Sequence, residues 1–376
     1  MTTPFLPFTR PSLDEATIQG VVEVLRSGWL ATGPNVAQLE SALSDYVGGR
    51  PVKVMTSATA ALEIALLAAG IGPGDEVITP AMSFVATANV IARVGARPVF
   101  VDVDLDTRNI DLDAVERAIT PATMALMPVH FAGLPVDMER LYGIADGHGL
   151  RVIEDAAHAI GSGLPGRRIG SQGDLVCFSF HPNKNMTTLE GGALVADDPA
   201  ELRAIDLHRF HGLDRNADGT MEVSLPGGKA NLTDVAARVG LGQLPLLDGF
   251  NDRRRELAGR YFDLLAGESR LRLPARGDAS HSWHMFAPLL DLSQLKIDRA
   301  GFIALMKAQG IGVGVHYPAI HLFSHYRKLG YAEGDFPNAE RIGRETVTLP
   351  LFPAMQDNDV DRVCDVLCRI LAENAR

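Results

Sequence analysis

The stretch EVITPAMSFVATANVIARVGARPVFVDVD, residues 76–104, decides the fold class of this sequence. Runs rich in β-branched residues at 76–81 and 97–104 flank a longer segment with a helical pattern. The alternation continues along the chain, with further strand-like runs at 124–131, 150–157, 174–181 and 192–198. Strands that alternate with helices pair in parallel, because the chain must cross back over the sheet before each new strand. The sequence therefore predicts an α/β fold with a mostly parallel central sheet covered by helices.

The chain has 376 residues, which is long enough for one large and one smaller domain. A long helical pattern runs from 233 to 267, and Pro245 is expected to break or kink it. Beyond this connector, shorter strand and helix patterns follow one another. We therefore predict a large domain at 1–250, whose N-terminal segment packs on the small domain, and a small C-terminal α+β domain at 251–376.

The composition argues against several classes of protein. A net charge of −11 disfavours a surface built to hold nucleic acid. No run approaches the roughly 18 apolar residues of a membrane span. The first residues lack the basic start and apolar core of a secretory signal, so the cytoplasm is the predicted location. Cys364 and Cys368 share one face of a predicted helix without a further ligand nearby, and we predict no metal site.

One lysine, Lys184, lies inside the segment FSFHPNKNMTTLEGG, residues 178–192, directly after a predicted strand. A lysine amine forms a Schiff base with an aldehyde once it is deprotonated, and pyridoxal phosphate is the commonest cofactor held in this way. Such a cofactor needs three more features: an anion beside its ring nitrogen, donors for its phosphate, and an apolar surface against its ring. Each of these can be sought in the sequence.

Candidates exist for all three features. Asp155 follows an apolar strand and is the candidate partner of the ring nitrogen, although such a carboxylate can also cap a helix. Ser57 and Thr59 begin an Ala/Leu-rich helix whose N-terminus suits a phosphate, with Ser179 near the lysine as a further donor; plain capping is the alternative. Phe84 follows the next strand and can cover the ring, or can be an ordinary core residue.

Several segments resemble the DegT/DnrJ/EryC1/StrS family of pyridoxal-phosphate-dependent sugar aminotransferases. They include GDEVITPAMSFVATANVI (74–91), VIEDAAHAIG (152–161) and FSFHPNKNMTTLEGGALVADD (178–198). The resemblance extends over essentially the whole chain and implies a fold-type-I transferase that works as a homodimer with active sites between its subunits. The segments at 5–11, 27–34, 128–137 and 227–234 are most similar to the UDP-4-amino-4-deoxy-L-arabinose aminotransferase branch.

The resemblance also implies roles for individual residues. Lys184 is the Schiff-base lysine and Asp155 the partner of the ring nitrogen, in agreement with the chemical argument, and His158 lies near the cofactor ring or its hydroxyl. The other implied cofactor contacts are Ser57, Ala58, Thr59 and Ser179 at the phosphate, Phe84 against the ring and Asn231 from the other subunit. The candidate substrate contacts are Trp29, His181, Lys229, His316 and Tyr317. Trp29 can instead pack as an N-terminal anchor, and His181 can instead order its loop. Lys229 matches a residue at the same subunit crossing as Asn231, and His316 and Tyr317 match the segment near the substrate entrance.

The activity implied by the resemblance is transfer of an amino group from glutamate to a nucleotide-linked keto-sugar, with pyridoxamine phosphate as the intermediate form. A UDP-linked 4-keto pentose is the first expected acceptor, within lipopolysaccharide or surface polysaccharide biosynthesis. A UDP- or dTDP-linked 4-keto-6-deoxyhexose is the alternative. A sugar dehydratase is disfavoured because those relatives carry histidine in place of the lysine. An amino-acid desulfurase is disfavoured because no suitably placed catalytic cysteine is present. A non-catalytic binding protein is disfavoured because it would not need Lys184 and Asp155.

Overall fold

The structure is a computed structural model that describes residues 4–164 and 166–376. Within these ranges the helices are α1 (Glu15–Ser27), α2 (Pro34–Tyr46), α3 (Ala58–Ala68), α4 (Ala86–Arg93), α5 (Leu112–Ala118), α6 (Met138–His148), α7 (Pro199–Arg209), α8 (Asp234–Gln243), α9 (Leu247–Leu265), α10 (Arg299–Ala308), α11 (Ser324–Arg327), α12 (Pro337–Glu345) and α13 (Asp357–Glu373). The strands are β1 (Val52–Met55), β2 (Glu76–Pro80), β3 (Arg97–Val101), β4 (Thr123–Leu126), β5 (Arg151–Asp155), β6 (Gly163–Leu164), β7 (Arg167–Arg168), β8 (Leu175–Ser179), β9 (Gly192–Val195), β10 (Leu213–Arg215), β11 (Met221–Val223), β12 (Leu271–Arg272) and β13 (Leu289–Leu290).

Seven strands form the central sheet in the order β1-β9-β8-β5-β4-β2-β3. The pairs β2/β3, β2/β4, β4/β5 and β5/β8 are parallel, while β9 runs antiparallel to β1 and β8. The predicted mostly parallel sheet is confirmed. The sequence analysis missed β1, which has only four residues, includes the polar Lys53 and follows Pro51.

Helices cover both faces of the sheet, and neighbouring strand residues enter different cores. In β5, Ile153 packs with side chains of α3 and α4, whereas Val152 packs with side chains of α5 and α6. The same division separates Ala125 from Leu126 in β4. Because successive side chains of a strand point to opposite faces, nearly continuous apolar runs result when both faces are buried. This explains why the predicted strands lack a polar–apolar alternation.

The C-terminal part of the chain has its own apolar core. It joins side chains of α9, α10 and α13 with residues between them and with Leu6 from the N-terminal segment. The Leu6 amide donates to the Gly310 carbonyl at 2.9 Å, and the Gly312 amide donates to the Leu6 carbonyl at 2.8 Å. We propose that this core marks the smaller domain, 251–376, and that α9 links it to the larger one.

Pro245 lies in a short 3-10 turn, Leu244–Leu246, between α8 and α9. Proline has no amide proton for the helix ladder, which explains why the long helical pattern divides at this point as predicted. Along the described ranges, no helix combines the length and the hydropathy that a bilayer crossing requires. The described residues also contain no group of three or more His, Cys, Asp or Glu side chains placed to bind a metal ion.

Candidate active site

A cavity of about 330 Å³ lies at the carboxyl ends of the parallel strands. The neighbouring strands β5 and β8 end at Asp155 and Ser179, and both residues line the cavity. The predicted site residues that line it are Ser57, Ala58, Thr59, Phe84, Asp155, His158, Ser179, His181, Lys184, His316 and Tyr317. The fold thus gathers into one cavity residues that the sequence spreads from position 57 to position 317.

Lys184 follows β8 in a turn that is closed by a hydrogen bond from its amide to the His181 carbonyl, at 2.8 Å. Burial disfavours the charged ammonium and lowers the pKa of Lys184 to about 8, while the nearby Asp155 carboxylate acts in the opposite direction. The amine is therefore partly in its free-base form near neutral pH. That is the form that attacks an aldehyde.

Asp155 is buried at the end of β5. Its carboxylate accepts a hydrogen bond from the Thr87 hydroxyl at 2.7 Å and another from the Ala157 amide at 3.1 Å. Burial raises the pKa of Asp155, and these two donors together with Lys184 oppose the rise because each favours the ionised carboxylate. The surroundings thus provide specific support for a buried negative charge beside the lysine.

Thr87 is a residue of the site that the sequence analysis missed. It lies in α4 and is fully buried, with its hydroxyl 2.9 Å from the Ser83 hydroxyl as well as 2.7 Å from Asp155. No pattern in the sequence points to Thr87, because its role depends on the 2.7 Å contact between its hydroxyl and Asp155.

Glu154, the residue before Asp155, contacts residues outside the cavity. Its carboxylate accepts a hydrogen bond from the Tyr142 hydroxyl at 2.8 Å and lies 2.9 Å from Nε2 of His130. Nδ1 of His130 accepts from the Val136 amide at 3.1 Å, so Nε2 carries the proton and donates to Glu154. Of these two adjacent acids, only Asp155 lines the cavity within the part of the chain that the structure describes.

The N-terminus of α3 presents hydrogen-bond donors to the cavity. Ser57 is the N-cap residue, and its Oγ accepts from the Ala60 amide at 3.1 Å. The amides of Ala58 and Thr59 donate to no acceptor in the described ranges, as expected for the first residues of a helix. Gly192 in β9 permits a close approach here, because a Cβ at Gly192 would lie 2.4 Å from the Ala58 nitrogen. Free amides at a helix N-terminus bind phosphate.

His158 is buried beside Tyr317, whose hydroxyl lies 3.2 Å from Nε2 of the imidazole. Its other ring nitrogen, Nδ1, is buried without a hydrogen-bond partner among the described residues. Burial, and then Lys184 and His316, lower the pKa of His158 well below its usual value, so the ring is neutral. This unpartnered atom belongs to a residue of the cavity wall.

Phe84 belongs to the wall of the cavity and not to the core, since 54% of its surface is exposed. Its ring centroid lies 5.8 Å from that of Tyr317. The expected alternative of a buried core phenylalanine is therefore wrong. An exposed ring at this place offers the apolar surface that a planar heterocycle needs.

His181 and His316 also line the cavity. Nδ1 of His316 lies 2.7 Å from the Thr348 hydroxyl, and burial followed by the charge of Lys184 lowers the pKa of His316 to about 4. Nε2 of His181 lies 3.8 Å from the carboxylate of Glu190, a cavity residue that the sequence analysis did not name. These side chains can hydrogen-bond a polar substrate while Lys184 and Asp155 remain available for chemistry.

Trp29, Lys229 and Asn231 do not line this cavity in the described chain. They form a continuous surface strip with Thr32 and Phe210, which we call the crossing surface. Trp29 Nε1 donates to the Thr32 carbonyl at 3.2 Å, and Asn231 Nδ2 contacts the Thr32 hydroxyl at 2.5 Å. The Lys229 amine contacts the Asn231 side chain and lies 4.8 Å from the centroid of the Phe210 ring.

The cavity meets the chemical demands of a pyridoxal phosphate site. It combines a primary amine of lowered pKa, a supported buried carboxylate, free amides at a helix N-terminus and an exposed aromatic ring. The unpartnered Nδ1 of His158 adds a polar group that the protein alone leaves unused. Each of these groups lies on the same cavity, so one ligand can use all of them.

A comparison with known families gives the same result. The sequence profile described as the DegT/DnrJ/EryC1/StrS aminotransferase family matches residues 11–368. The chain belongs to this family. As a DegT/DnrJ/EryC1/StrS aminotransferase it is an enzyme that depends on pyridoxal phosphate, and the predicted fold type, reaction class and cofactor are confirmed.

Individual relatives of this family member span nearly its whole length. The spore coat polysaccharide biosynthesis protein SpsC of Bacillus subtilis is 42% identical over 374 residues, covering 96% of each chain. Spr1654 of Streptococcus pneumoniae, described as a sugar aminotransferase, has been solved in its PMP form and is 34% identical, with a TM-score of 0.93 and 98% of both chains covered. PseC of Helicobacter pylori, an aminotransferase of pseudoaminic acid biosynthesis, is 27% identical, with a TM-score of 0.92, 98% of this chain and 100% of its own covered.

Proposed function

We propose that this enzyme transfers an amino group from glutamate to a UDP-linked 4-keto pentose, yielding UDP-4-amino-4-deoxy-L-arabinose for surface polysaccharide biosynthesis. The observation that carries the chemistry is the presence of Lys184 and Asp155 on one cavity, at the ends of neighbouring strands. The choice of sugar is supported by the sequence segments at 5–11, 27–34 and 128–137. A UDP- or dTDP-linked 4-keto-6-deoxyhexose is the competing acceptor.

Pyridoxal phosphate supplies an aldehyde that binds primary amines and a ring that takes up negative charge during the reaction. Lys184 would hold it through Nζ, and Asp155 would keep a proton on its ring nitrogen. The N-terminus of α3, with Ser57 and its neighbours Ala58 and Thr59, would hold the phosphate together with Ser179. Phe84 would cover the ring and His158 would bind a polar group of it through Nδ1.

Lys184 also has the properties of the proton carrier. Once the amino donor had taken its place, Nζ would be a free amine of lowered pKa. It would take the proton from the α-carbon of glutamate, and in the second half of the cycle it would deliver a proton to the sugar carbon that receives the amine. The neighbouring His158 and His316 are neutral because of burial and do not compete for that proton.

We further propose a homodimer in which the crossing surface of one subunit completes the cavity of the other. Its aromatic residues are exposed in the single chain: 59% of Trp29 and 42% of Phe210 are accessible. Met221 and Val223, on the β10–β11 hairpin, are exposed as well. Exposed apolar side chains beside a polar contact strip are typical of a protein interface. Asn231 would then reach the phosphate of the partner's cofactor.

Mixing two inactive variants tests this arrangement. Lys184→Ala removes the amine, and Asn231→Asp places a carboxylate where we propose a phosphate. A hybrid dimer of the two has one site with both residues intact, so an equal mixture that exchanges subunits should regain about one quarter of the wild-type activity. If Asn231 served its own subunit, the mixture would stay as inactive as the separate variants. Sedimentation of the wild-type protein measures the dimer directly.

The acceptor sugar is tested by a half-reaction. The protein is loaded with pyridoxal phosphate, converted to its amine form with glutamate and freed of glutamate. A panel of UDP- and dTDP-linked keto-sugars is then added, while the absorbance of the cofactor is followed. We expect fast return of the original absorbance with the UDP-linked 4-keto pentose, because only an accepted keto group can remove the amine. Faster return with a 4-keto-6-deoxyhexose would reassign the substrate, and failure of glutamate to convert the protein would reassign the donor.

The cysteines support the proposed cytoplasmic location. Cys177, Cys364 and Cys368 are free thiols in the structure, and burial raises the pKa of each. Cys177 and Cys364 are buried and Cys368 is half-buried, and protonated thiols of this kind are stable in a reducing compartment.

A further inference from the structure

A chain of buried hydrogen bonds passes through Asn185, the residue after Lys184, and has no part in the roles described so far. Nδ1 of His284 lies 3.2 Å from Oδ1 of Asn185. Nδ2 of Asn185 donates to Oδ1 of Asn251 at 2.7 Å, and Nδ2 of Asn251 donates to the Ile160 carbonyl at 3.2 Å. We call these four groups the amide chain. All three side chains are buried, with accessible fractions of 7% for His284, 4% for Asn185 and 1% for Asn251.

The direction of every bond in the amide chain follows from its ends. The Ile160 carbonyl can only accept, so Asn251 presents its amino group there and its carbonyl to Asn185. The amino group of Asn185 therefore faces Asn251, and it also donates to the Ser282 carbonyl at 3.0 Å. This leaves the Asn185 oxygen as an acceptor, and Nδ1 of His284 must carry the proton. Bonds aligned in one direction polarise and strengthen each other.

The amide chain connects two functional groups of the cavity. Asn185 is the residue after Lys184, so its three hydrogen bonds fix the backbone from which the lysine side chain extends. The His284 ring stacks on the His158 ring, with centroids 4.6 Å apart and planes inclined by 29°. The His284 amide also donates to the Ala132 carbonyl at 2.8 Å. Asn185 thus acts on the lysine through the main chain and on His158 through a stacked ring.

We propose that Asn185 is a positioning residue that holds Lys184 and, through His284, the ring of His158. The inference rests on the proposed roles of those two residues. Lys184 must move its amine between bound and free positions while its backbone stays in place, and the three bonds of Asn185 provide that support. In its proposed role His158 must direct Nδ1 at the ligand. Stacking on the His284 ring limits the rotation of the His158 ring and so holds that direction.

The neutral amide of asparagine is important for this function. Burial, and then the charge of Lys184, lower the pKa of His284 well below its usual value, with His158, Arg254 and His316 acting in the same direction. A carboxylate at position 185 would accept from His284 but would favour the imidazolium form, and it could not donate to Asn251 and Ser282. An alanine would remove all three bonds. Asparagine supplies two donors and one acceptor without a charge.

The test compares Asn185→Ala with the wild-type holoenzyme. We expect the rate of the glutamate half-reaction to fall by about 10- to 100-fold, as for other groups that orient a functional residue, with the KM for glutamate changed by less than about threefold. The pH dependence of the cofactor absorbance, recorded without any sugar, should also change because His158 is released. Asn338→Ala is the matched control. It removes a side-chain amide that donates to the Val103 carbonyl at 2.8 Å, and it should leave both readouts at their wild-type values.

A second variant separates the effect on Lys184 from the effect on His158. It also tests the proposal if Asn185→Ala fails to fold. His284→Asn keeps an N–H donor towards Asn185 and removes the ring that stacks on His158. It should change the absorbance–pH curve while lowering the half-reaction rate by less than Asn185→Ala does. The proposal would be overturned if both variants, with cofactor bound, showed wild-type half-reaction rates and wild-type absorbance–pH curves. If only His284→Asn folds, a wild-type absorbance–pH curve for that variant would overturn it. Failure of the wild-type protein to bind its cofactor at Lys184 would instead overturn the proposed function, and mass spectrometry after borohydride reduction detects this independently.

Discussion

Replacing Lys184 by alanine is expected to lower the overall rate by at least about 10⁴-fold, because in the proposed mechanism one amine both binds the cofactor and transfers the proton. The protein should remain folded, since the side chain lines a cavity and its removal opens no closed core. The loss should appear in both half-reactions, measured by stopped-flow absorbance with saturating cofactor.

In the wild-type protein, the rate of cofactor binding should rise with pH and level off above about 8, because the pKa of Lys184 is lowered to about 8 and the free base reacts.

Lys307→Ala is a suitable control for the general loss of a lysine. Lys307 is exposed near the end of α10 and does not line the cavity. It should keep wild-type kinetics and the same pH dependence of cofactor binding. A Lys184→Ala protein that completed both half-reactions at a normal rate would refute the assignment and reopen the question of which residue moves the proton.

Replacing Asp155 by asparagine is expected to lower the rate by about 10³-fold, because a neutral amide cannot stabilise a proton on the ring nitrogen of the cofactor. Asparagine has nearly the same shape, so the cofactor should still bind. The measurement is the rate of the glutamate half-reaction, together with the absorbance of the bound cofactor over a range of pH. An unchanged rate would show that another group holds the ring nitrogen.

The same variant should be more stable than the wild type when the cofactor is removed. The folded-state pKa of Asp155 is raised above its unfolded value by burial, so ionisation costs stability as the pH rises through that folded pKa. Asparagine does not ionise, and the difference in Tm between the two cofactor-free proteins should therefore grow from acid to neutral pH. A Tm difference that is independent of pH would contradict the raised folded-state pKa of Asp155.

Thr87 provides a graded version of this experiment. Thr87→Val keeps the shape of the side chain but removes the hydroxyl that donates to Asp155, while Thr87→Ser keeps the hydroxyl. We expect the valine variant to lose about 10- to 100-fold in rate and the serine variant to stay close to the wild type, because a bond to a charged group contributes strongly. Equal losses in both variants would indicate a packing role for Thr87.

The sequence was sufficient to predict the parallel part of the sheet and to bring Asp155 and Lys184 into one cavity. Five strand-like runs, from 76–81 to 174–181, alternate with helical patterns and became parallel strands of one sheet. Because parallel strands end at the same edge, Asp155 and Lys184 could be placed together even though a strand and a turn separate them in the chain. Both are chemically distinctive residue types, which explains why they could be recognised without coordinates.

Residues that act through other residues could not be found in this way. Asn185 and His284 are 99 positions apart (284 minus 185) and meet only because the 282–284 segment returns to the lysine turn. Thr87 carries a common side chain whose importance depends on a 2.7 Å contact with Asp155. The role of Asn231 at a subunit boundary was inferred from family resemblance alone, since no property of Asn231 in the sequence indicates a partner subunit.

The acid pair at the end of β5 limits how the gene for this protein can be edited. Glu154 and Asp155 point to opposite faces, one towards His130 and Tyr142 and the other into the cavity. Inserting or deleting one residue within β5 would exchange the two faces, even though the composition of the strand would hardly change. A library that varies the length of the chain should therefore leave 151–155 untouched and place its changes beyond β5.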